Sequence, residues 1–505
     1  MRLVHAGFVL AREGAFSIID RQALPPVLRP AIGMARLLER RAVRRRGPEE
    51  RLRAALDRLG PTYVKIGQTL ATRPDIVGPE VAGHLAVLQD KMAPFDPALV
   101  PGLLAAALHE RAAELTELTP PIAAASIAQV HKAVLVTPAG RQTVAVKLLR
   151  PGIKARFRAD LETQFAAAAL AERWVKPLRR LRPTDVVRTL ERSARLELDL
   201  RLEAAAISEM AGNIKDDTGF IIPTVSWDHT AETVLTTSWV DGIPIRDLDA
   251  IAAAGLDRKE LARILLQSFL RHAIRDGFFH ADMHQGNLFA DPRGRGIVAV
   301  DFGIMGRITR RERRFLADIL YGFITRDYRL IAARHFEIGY VPRHQSIDDF
   351  ALALRAIGEP LQGRRATDIS MAKVLGQLFA TTELFEMQTR PELLLLQKSM
   401  VLVEGVSRML DPELDIWTLA EPVVGDFVRR EAGPLGRLED LRDRANVALD
   451  TFGRLPGLVR RAERALDDYD AERRAPRHGR QRLLLTVACF AVLVIAVVSV
   501  VRLFA

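Results

Sequence analysis

The chain has 505 residues, of which 49% are hydrophobic and 27% charged, a balance that excludes a disordered protein and leaves room for two or three domains. One cysteine, Cys489, excludes a disulfide framework and a cysteine-based zinc site. The net charge of +11 comes with no zinc-finger or RNA-recognition signature and only 6% aromatics, so no nucleic-acid partner is expected.

In chain order, residues 1–115 read as a helical extension. Leu3, Phe8, Val9 and Leu10 sit among basic residues, a pattern that suits either a membrane surface or an amphipathic helix packed on the main domain. Arg12 and Glu13 break that apolar run, so it is not a signal peptide. A helix opens at Gly60-Pro61-Thr62, with proline in its first turn, and is expected to stop at Arg73-Pro74. Lys65, Gln68, Thr69 and Thr72 fall at i, i+3, i+4 and i+7 along it and share one polar face.

Residues 116–240 read as a small α+β lobe with two strand runs, 143–149 and 233–240, and long helices between them. The run Thr143-Val144-Ala145-Val146-Lys147 ends in a lysine, which phosphoryl-transfer sites use to neutralise the α- and β-phosphates. A helical stretch from Leu196 to Glu203 carries the acids Glu197, Asp199 and Glu203. Asp241-Gly242 breaks the pattern as an interlobe linker would, and backbone groups near Ser238 and Val240 are expected to hold the adenine edge.

Residues 243–430 read as mostly helical, interrupted by one loop and its strand. The loop is Phe279-His280-Ala281-Asp282-Met283-His284-Gln285-Gly286-Asn287, followed by Val300-Asp301-Phe302-Gly303. An Asp, an Asn five residues on and a second Asp after a short apolar run are the parts that nucleotide phosphoryl chemistry needs. Asp282 orients or deprotonates the attacking oxygen, while Asn287 and Asp301 hold Mg²⁺ against the phosphates of ATP. His284 suits either a phosphate contact or a loop-fixing role, and His280 a structural, hydrogen-bonded one. Thr309-Arg310-Arg311-Glu312 reads as a helix start, and Leu393 to Leu410 as an apolar core helix.

Residues 431–482 form a charged connector. The run from Leu483 to Val501 has no charge; its ~28 Å as a helix is about one hydrocarbon core, so a transmembrane helix is expected over 483–503. Arg473, Arg474, Arg477, Arg480 and Arg482 precede it, which predicts an inner-membrane anchor with the catalytic domain facing the cytoplasm.

With these motifs in view, residues 50 to 430 resemble the UbiB family of atypical kinases, the aarF-domain-containing, coenzyme-Q-linked kinase-like proteins. The resemblance rests on Lys65-Ile66-Gly67-Gln68, Ala123-Ala124-Ala125-Ser126, Val144-Ala145-Val146-Lys147, Glu197-Leu198-Asp199 with Glu203, and the pair formed by His280–Asn287 and Asp301-Phe302-Gly303. It implies that Ala123, Ala124, Ala125 and Ser126 replace the glycine-rich nucleotide loop, and that alanine, which resists positive φ, changes how nucleotide sits. It further implies that Glu203 pairs with Lys147, and that Glu197 and Asp199 face the Lys65/Gln68 helix, which gates the pocket. Met283 and Gln285 stand where many members have prolines. The long activation segment of conventional kinases is missing.

The fold class expected is α+β: a helix-rich, bilobal protein-kinase-like fold with an N-terminal helical extension (1–115), N-lobe (116–240), C-lobe (241–430), connector (431–482) and C-terminal membrane helix. By resemblance, the function expected is ATP hydrolysis supporting ubiquinone biosynthesis. The expected partners are membrane lipids, polyprenyl phenol intermediates and the pathway's other enzymes. The family label 2-polyprenylphenol 6-hydroxylase finds no flavin fingerprint or iron triad here. A true protein kinase and a non-catalytic lipid-binding scaffold are the rival readings.

Overall fold

Apolar alternation builds the first sheet. In the computed structural model, Val144, Val146 and Leu148 of strand β4 (Gly140–Leu149) are buried, whereas Thr143, Ala145 and Lys147 face the other way. The model describes residues 2–18, 35–71, 92–174, 182–361 and 391–432, together with 33, 85, 377, 381 and 384–387. It divides into two units, 1–423 and 424–505; of the second, only the end of a helix is described.

Among the described residues the extension contributes α1 (Arg2–Arg12), α2 (Pro48–Leu59), α3 (Pro61–Ala71) and α4 (Val100–Leu108). Val100, Leu104 and Leu108 of α4 pack against the apolar face of a five-stranded antiparallel sheet. Its strands are β1 (Leu115–Thr116), β2 (Ala123–Ala124), β3 (Ala128–Thr137), β4 and β6 (Val234–Ser238). Their order is β1-β3-β4-β6, with β2 also paired to β3. Pattern reading finds β4 and β6 but not β3. The inward positions of β3 include Gln129 and His131, both buried, so its apolar alternation is hidden. A polar chain satisfies them: Phe95 N–H donates to Gln129 Oε1 at 3.0 Å, Gln129 Nε2 meets His131 Nε2 at 2.8 Å, and His131 Nδ1 meets the Thr119 carbonyl at 2.8 Å.

Three helices follow β4: α5 (Ile153–Trp174), α6 (Pro183–Glu197) and α7 (Leu200–Asn213). In α7 the buried residues Leu200, Glu203, Ala204, Ile207 and Met210 trace one helical stripe, so Glu203 is an acid on a core-facing side. After β5 (Phe220–Ile221) and β6 the chain crosses at Gly242, where a Cβ would come within 2.6 Å of the Phe289 Cβ; only glycine allows that approach.

The second lobe holds β7 (Ile243–Pro244), α8 (Leu248–Ala253), α9 (Arg258–Arg271), β8 (Phe278–His280), β9 (Leu288–Ala290), β10 (Ile297–Ala299) and β11 (Met305–Arg307). Strands β9 and β10 form a hairpin flanked by β7 and, in parallel, β5; β8 pairs with β11. The helix predicted at Thr309 is α10 (Arg310–Thr325), opened by a capping box between Thr309 and Glu312. It is followed by α11 (Tyr328–Ile338), α12 (Ile347–Gly358), α13 (Pro391–Leu410) and α14 (Ile416–Ala432). Tyr328, Ile331, Phe350, Leu354 and Phe385 form this region's apolar core.

One expectation is corrected. The fold is helix-rich α+β, but no helix among the described residues is long and apolar enough to cross a membrane. The helix α13, of 20 residues, is interrupted by Glu392, Lys398, Glu404 and Arg408, as suits the core helix expected there rather than a span. The span expected at 483–503 and the connector at 433–482 lie outside the described residues. No described helix thus bears out the expected inner-membrane anchor.

Candidate active site

Lys147 is turned away from the apolar core because it sits on the opposite face of β4. Its Nζ donates to both oxygens of Glu203, at 2.9 Å each, and to Asp301 Oδ1 at 2.8 Å. One ammonium from the first lobe thus joins an acid on α7 and an acid from the second lobe. Lys147 and Glu203 are largely buried, with side chains 17% and 7% exposed, whereas Asp301 is 45% exposed.

Two carboxylates sharing one cation set the titration. Burial pulls the Lys147 ammonium down, yet Asp301 and Glu203 together hold it well above the ordinary lysine value. Burial pushes Glu203 up to about 7, because Lys147 offsets the cost only in part and Asp301 adds like charge. For Asp301, burial acts upward but Lys147 holds the carboxyl well below the usual range, with His280 and Lys65 contributing. The charge and the hydrogen bond of Lys147, with the other cations, outweigh that burial cost, so the net direction is downward. Asp301 also has φ +63°, the left-handed region that a non-glycine residue occupies at a cost.

The loop from His280 to Asn287 is braced from within. His280 is fully buried; its Nδ1 accepts the Asp282 N–H at 3.1 Å and its Nε2 meets the Val300 carbonyl at 3.2 Å, a pattern that puts the proton on Nε2. Burial lowers its pKa, and its ring leans on Phe302 at 5.0 Å. This is the structural histidine expected. His284 Nδ1 accepts the Gly286 N–H at 2.9 Å, so it too fixes the loop.

Asn287 Nδ2 donates to the Asp282 carbonyl at 3.1 Å, which leaves Oδ1 as a hard oxygen donor. The Asn287 carbonyl accepts the Val300 N–H at 3.0 Å, so the mouth of the β9–β10 hairpin sets Asn287 beside the residue that precedes Asp301. An amide oxygen and a carboxylate fit Mg²⁺, which takes one or two protein oxygens and fills its shell with phosphate and water. No cluster of three or more His, Cys, Asp or Glu suited to a metal occurs among the described residues.

The alanine run is a hairpin, not a helix start. Ala123 and Ala124 pair with Val130 and Gln129, and Ala125 N–H donates to the Ala128 carbonyl at 2.8 Å. Arg150, which sequence reading passes over, clamps the Ala125 carbonyl at 2.9 Å and the Ala93 carbonyl at 2.8 Å. Ser126 is fully buried within that turn.

The remaining expected residues divide. Lys65, on α3, pairs with Glu197 at the end of α6, and both are mostly buried. The backbone of Gln68 lies on the same helix. Asp199 does not turn toward Lys65: it caps α7, accepting from Arg201 N at 3.1 Å and Arg201 Nε at 2.9 Å, and these bonds lower its pKa. In the hinge, the Ser238 N–H donates to the Thr224 carbonyl and the Trp239 N–H to the Thr143 carbonyl. The Ser238 N–H is therefore spent in the sheet, while Val240 lies beyond the end of β6.

One charged neighbour of Asp282 escaped sequence reading. Lys398, on α13, places Nζ 3.6 Å from Asp282 Oδ1, while His284 Nε2 lies 3.8 Å from Oδ2. A lone lysine inside Leu393–Met400 was the available signal.

Residues 87–335 match the ABC1 atypical kinase-like domain and residues 354–415 the UbiB helical domain. A Marinobacter nauticus protein named "Probable protein kinase UbiB" is 39% identical over 415 residues, covering 81% of this chain and 75% of its own length. One of the same name from Xanthomonas campestris pv. campestris is 40% identical over 423 residues, covering 81% and 75%. Another from Azotobacter vinelandii is 36% identical over 499 residues, covering 96% and 90%. Among solved structures, that of Rv3197 with erythromycin from Mycobacterium tuberculosis aligns with a TM-score of 0.48 and 26% identity, covering 73% of this chain and 93% of that one. The chain belongs to the UbiB family of atypical kinases, with an ABC1 kinase-like domain followed by the UbiB helical domain.

Proposed function

We propose that this protein binds ATP with Mg²⁺ between its two lobes and transfers the γ-phosphoryl group to water, in support of ubiquinone biosynthesis. The observation that carries the reading is the joint bonding of Lys147 to Glu203 and Asp301, an arrangement that suits a nucleotide-phosphate site. Lys147 neutralises the α- and β-phosphates, and Glu203 keeps its ammonium aimed. Asp282 accepts the proton of the attacking water. The new O–Pγ bond forms as the bond from Pγ to the β,γ-bridging oxygen breaks, and ADP leaves with that electron pair. Asn287 and Asp301 would hold Mg²⁺, which when bound neutralises charge on the phosphate oxygens. Coupling of turnover to polyprenyl phenol intermediates follows from the family resemblance.

The name shared by the relatives favours a second reading, transfer to a protein. Against it, β11 (Met305–Arg307) and the capped start of α10 at Arg310 follow Asp301-Phe302-Gly303 almost at once, where a conventional kinase holds its peptide platform.

The test is Mg²⁺-dependent ATP turnover by the purified protein, with and without a short-chain prenyl phenol, beside Asp301→Asn. We expect slow release of inorganic phosphate, stimulation by the phenol, and a loss of ~10³-fold or more in the variant. Equal turnover by both proteins overturns the reading. Label recovered mainly on polypeptide selects the protein-kinase alternative.

A further inference from the structure

We infer that Lys398, from the UbiB helical domain, is a positioning residue of the catalytic loop, holding the Asp282 carboxylate ready for the acceptor. This rests on the function proposed above. Residues 87–335 hold the kinase-like domain and residues 354–415 the helical domain, yet the acceptor side of the site takes a side chain from the second.

The sequence between Asp282 and Asn287 is Met283-His284-Gln285-Gly286, which contains no lysine or arginine. The loop itself therefore offers Asp282 only His284, whose Nε2 lies 3.8 Å from Oδ2. Lys398 Nζ stands 3.6 Å from the other oxygen, Oδ1. The two groups flank the carboxylate, one beside each oxygen. Both Lys398 and Asp282 remain partly open, with side chains 36% and 26% exposed, so an acceptor has access to the same carboxylate.

The helix that carries Lys398 is fastened to this loop rather than merely near it. Ser399, its immediate neighbour, is fully buried, and its hydroxyl is shared between the Leu395 carbonyl at 2.7 Å and the Ala281 carbonyl at 3.1 Å. Ala281 directly precedes Asp282, so one turn of α13 meets the loop through two consecutive residues. Within this turn Leu396 and Ser399 are buried, while the longer Lys398 side chain carries its ammonium out to the rim beside Asp282. A cation on the acceptor side also limits repulsion between Asp282 and the incoming phosphoryl oxygens.

The test uses the full chain and compares Lys398→Met, Lys398→Arg and Lys398→Ala with wild type and Asp301→Asn. Lys398→Met is expected to lower kcat by ~10- to 100-fold while KM for ATP stays within about twofold, since a general base aimed by a neighbour contributes about 10²-fold or more. Lys398→Arg, which keeps the charge, is expected to retain at least about a third of kcat, and propylammonium to restore part of the loss in Lys398→Ala. An unaltered thermal midpoint in Lys398→Met accompanies this outcome. Normal kcat in Lys398→Met overturns the role of Lys398 alone. So does an equal loss in Lys398→Arg and Lys398→Met with a lowered midpoint, which would mark a packing role. Equal turnover in wild type and Asp301→Asn instead removes the underlying phosphoryl-transfer reading.

Discussion

The two halves of the site are built to different tolerances. On the nucleotide side, Lys147 makes three bonds of 2.8 to 2.9 Å to Glu203 and Asp301, and two of the three side chains are largely buried. On the acceptor side, the neighbours of Asp282 stand off at 3.6 and 3.8 Å and every partner is partly exposed. Under the proposed function, charges that meet phosphates of known geometry are locked beforehand, which lowers reorganisation during reaction. Charges that must admit an acceptor are left looser. The sheet and α7 impose the first arrangement; a loop and the neighbouring helix α13 set the second.

The strongest way to break this contrast is to remove the shared cation. Lys147→Met leaves Glu203 and Asp301 facing one another without compensation. We expect turnover to fall by ~10³-fold or more and stability by about 3 kcal/mol, as for a broken buried pair. Glu203→Gln should behave differently, because one carboxylate and one ammonium remain and balance. Its stability should change by less than about 1 kcal/mol, while kcat falls by about 10-fold as Lys147 loses its aim. Chemical denaturation and turnover measured on both variants check the asymmetry. Equal destabilisation would mean that Lys147 does not serve both acids.

Much of the nucleotide side was legible in the sequence, because its parts sit in local patterns. Lys147 ends an alternating apolar strand, and Asp282, Asn287 and Asp301 keep their spacing within one loop and hairpin. The acceptor side was less legible. Lys398 belongs to a helix whose pattern reports only its own packing, and its meeting with Asp282 depends on how α13 lies against the loop. Asp199 shows the opposite failure: a residue assigned to the pocket is spent as the cap of α7, a use that its place just before the helix already allowed. Strand β3 was hidden because Gln129 and His131 occupy inward positions that pattern reading reserves for apolar side chains.

A smaller effect sharpens the contrast from the extension. Lys65 pairs with Glu197, and its charge also reaches Asp301. If α3 gates the nucleotide side, Lys65→Ala should change turnover, or the preference between ATP and other nucleotides, by at least about threefold. Steady-state turnover with each nucleotide measures this. An unchanged profile for both leaves the Lys65–Glu197 pair as a fastening between α3 and α6 and removes the gate.

The smallest expected effect is a control, placed where no phosphate acts. His335 of α11 is half-buried between Phe315, at 4.8 Å, and Phe350, at 5.1 Å, with Nδ1 2.8 Å from the Ile331 carbonyl. Burial lowers its pKa to about 4, and the bond to Ile331 only partly opposes this. In the unfolded chain it titrates near 6.5, so below that value the unfolded state binds the extra proton first. The sign follows: stability is full above about pH 6.5 and is lost as pH falls toward 4, at about 1.4 kcal/mol per pH unit for each such histidine. His272, lowered to about 3 by burial against Phe220, acts in the same direction. Unfolding measured at pH 7.5 and 5.5 should therefore show a loss that His335→Phe reduces by about 1 kcal/mol, with turnover at pH 7.5 little changed. An identical pH slope in wild type and His335→Phe would place the acid sensitivity elsewhere, and the crowded carboxylates around Lys147 would then be the first groups to examine.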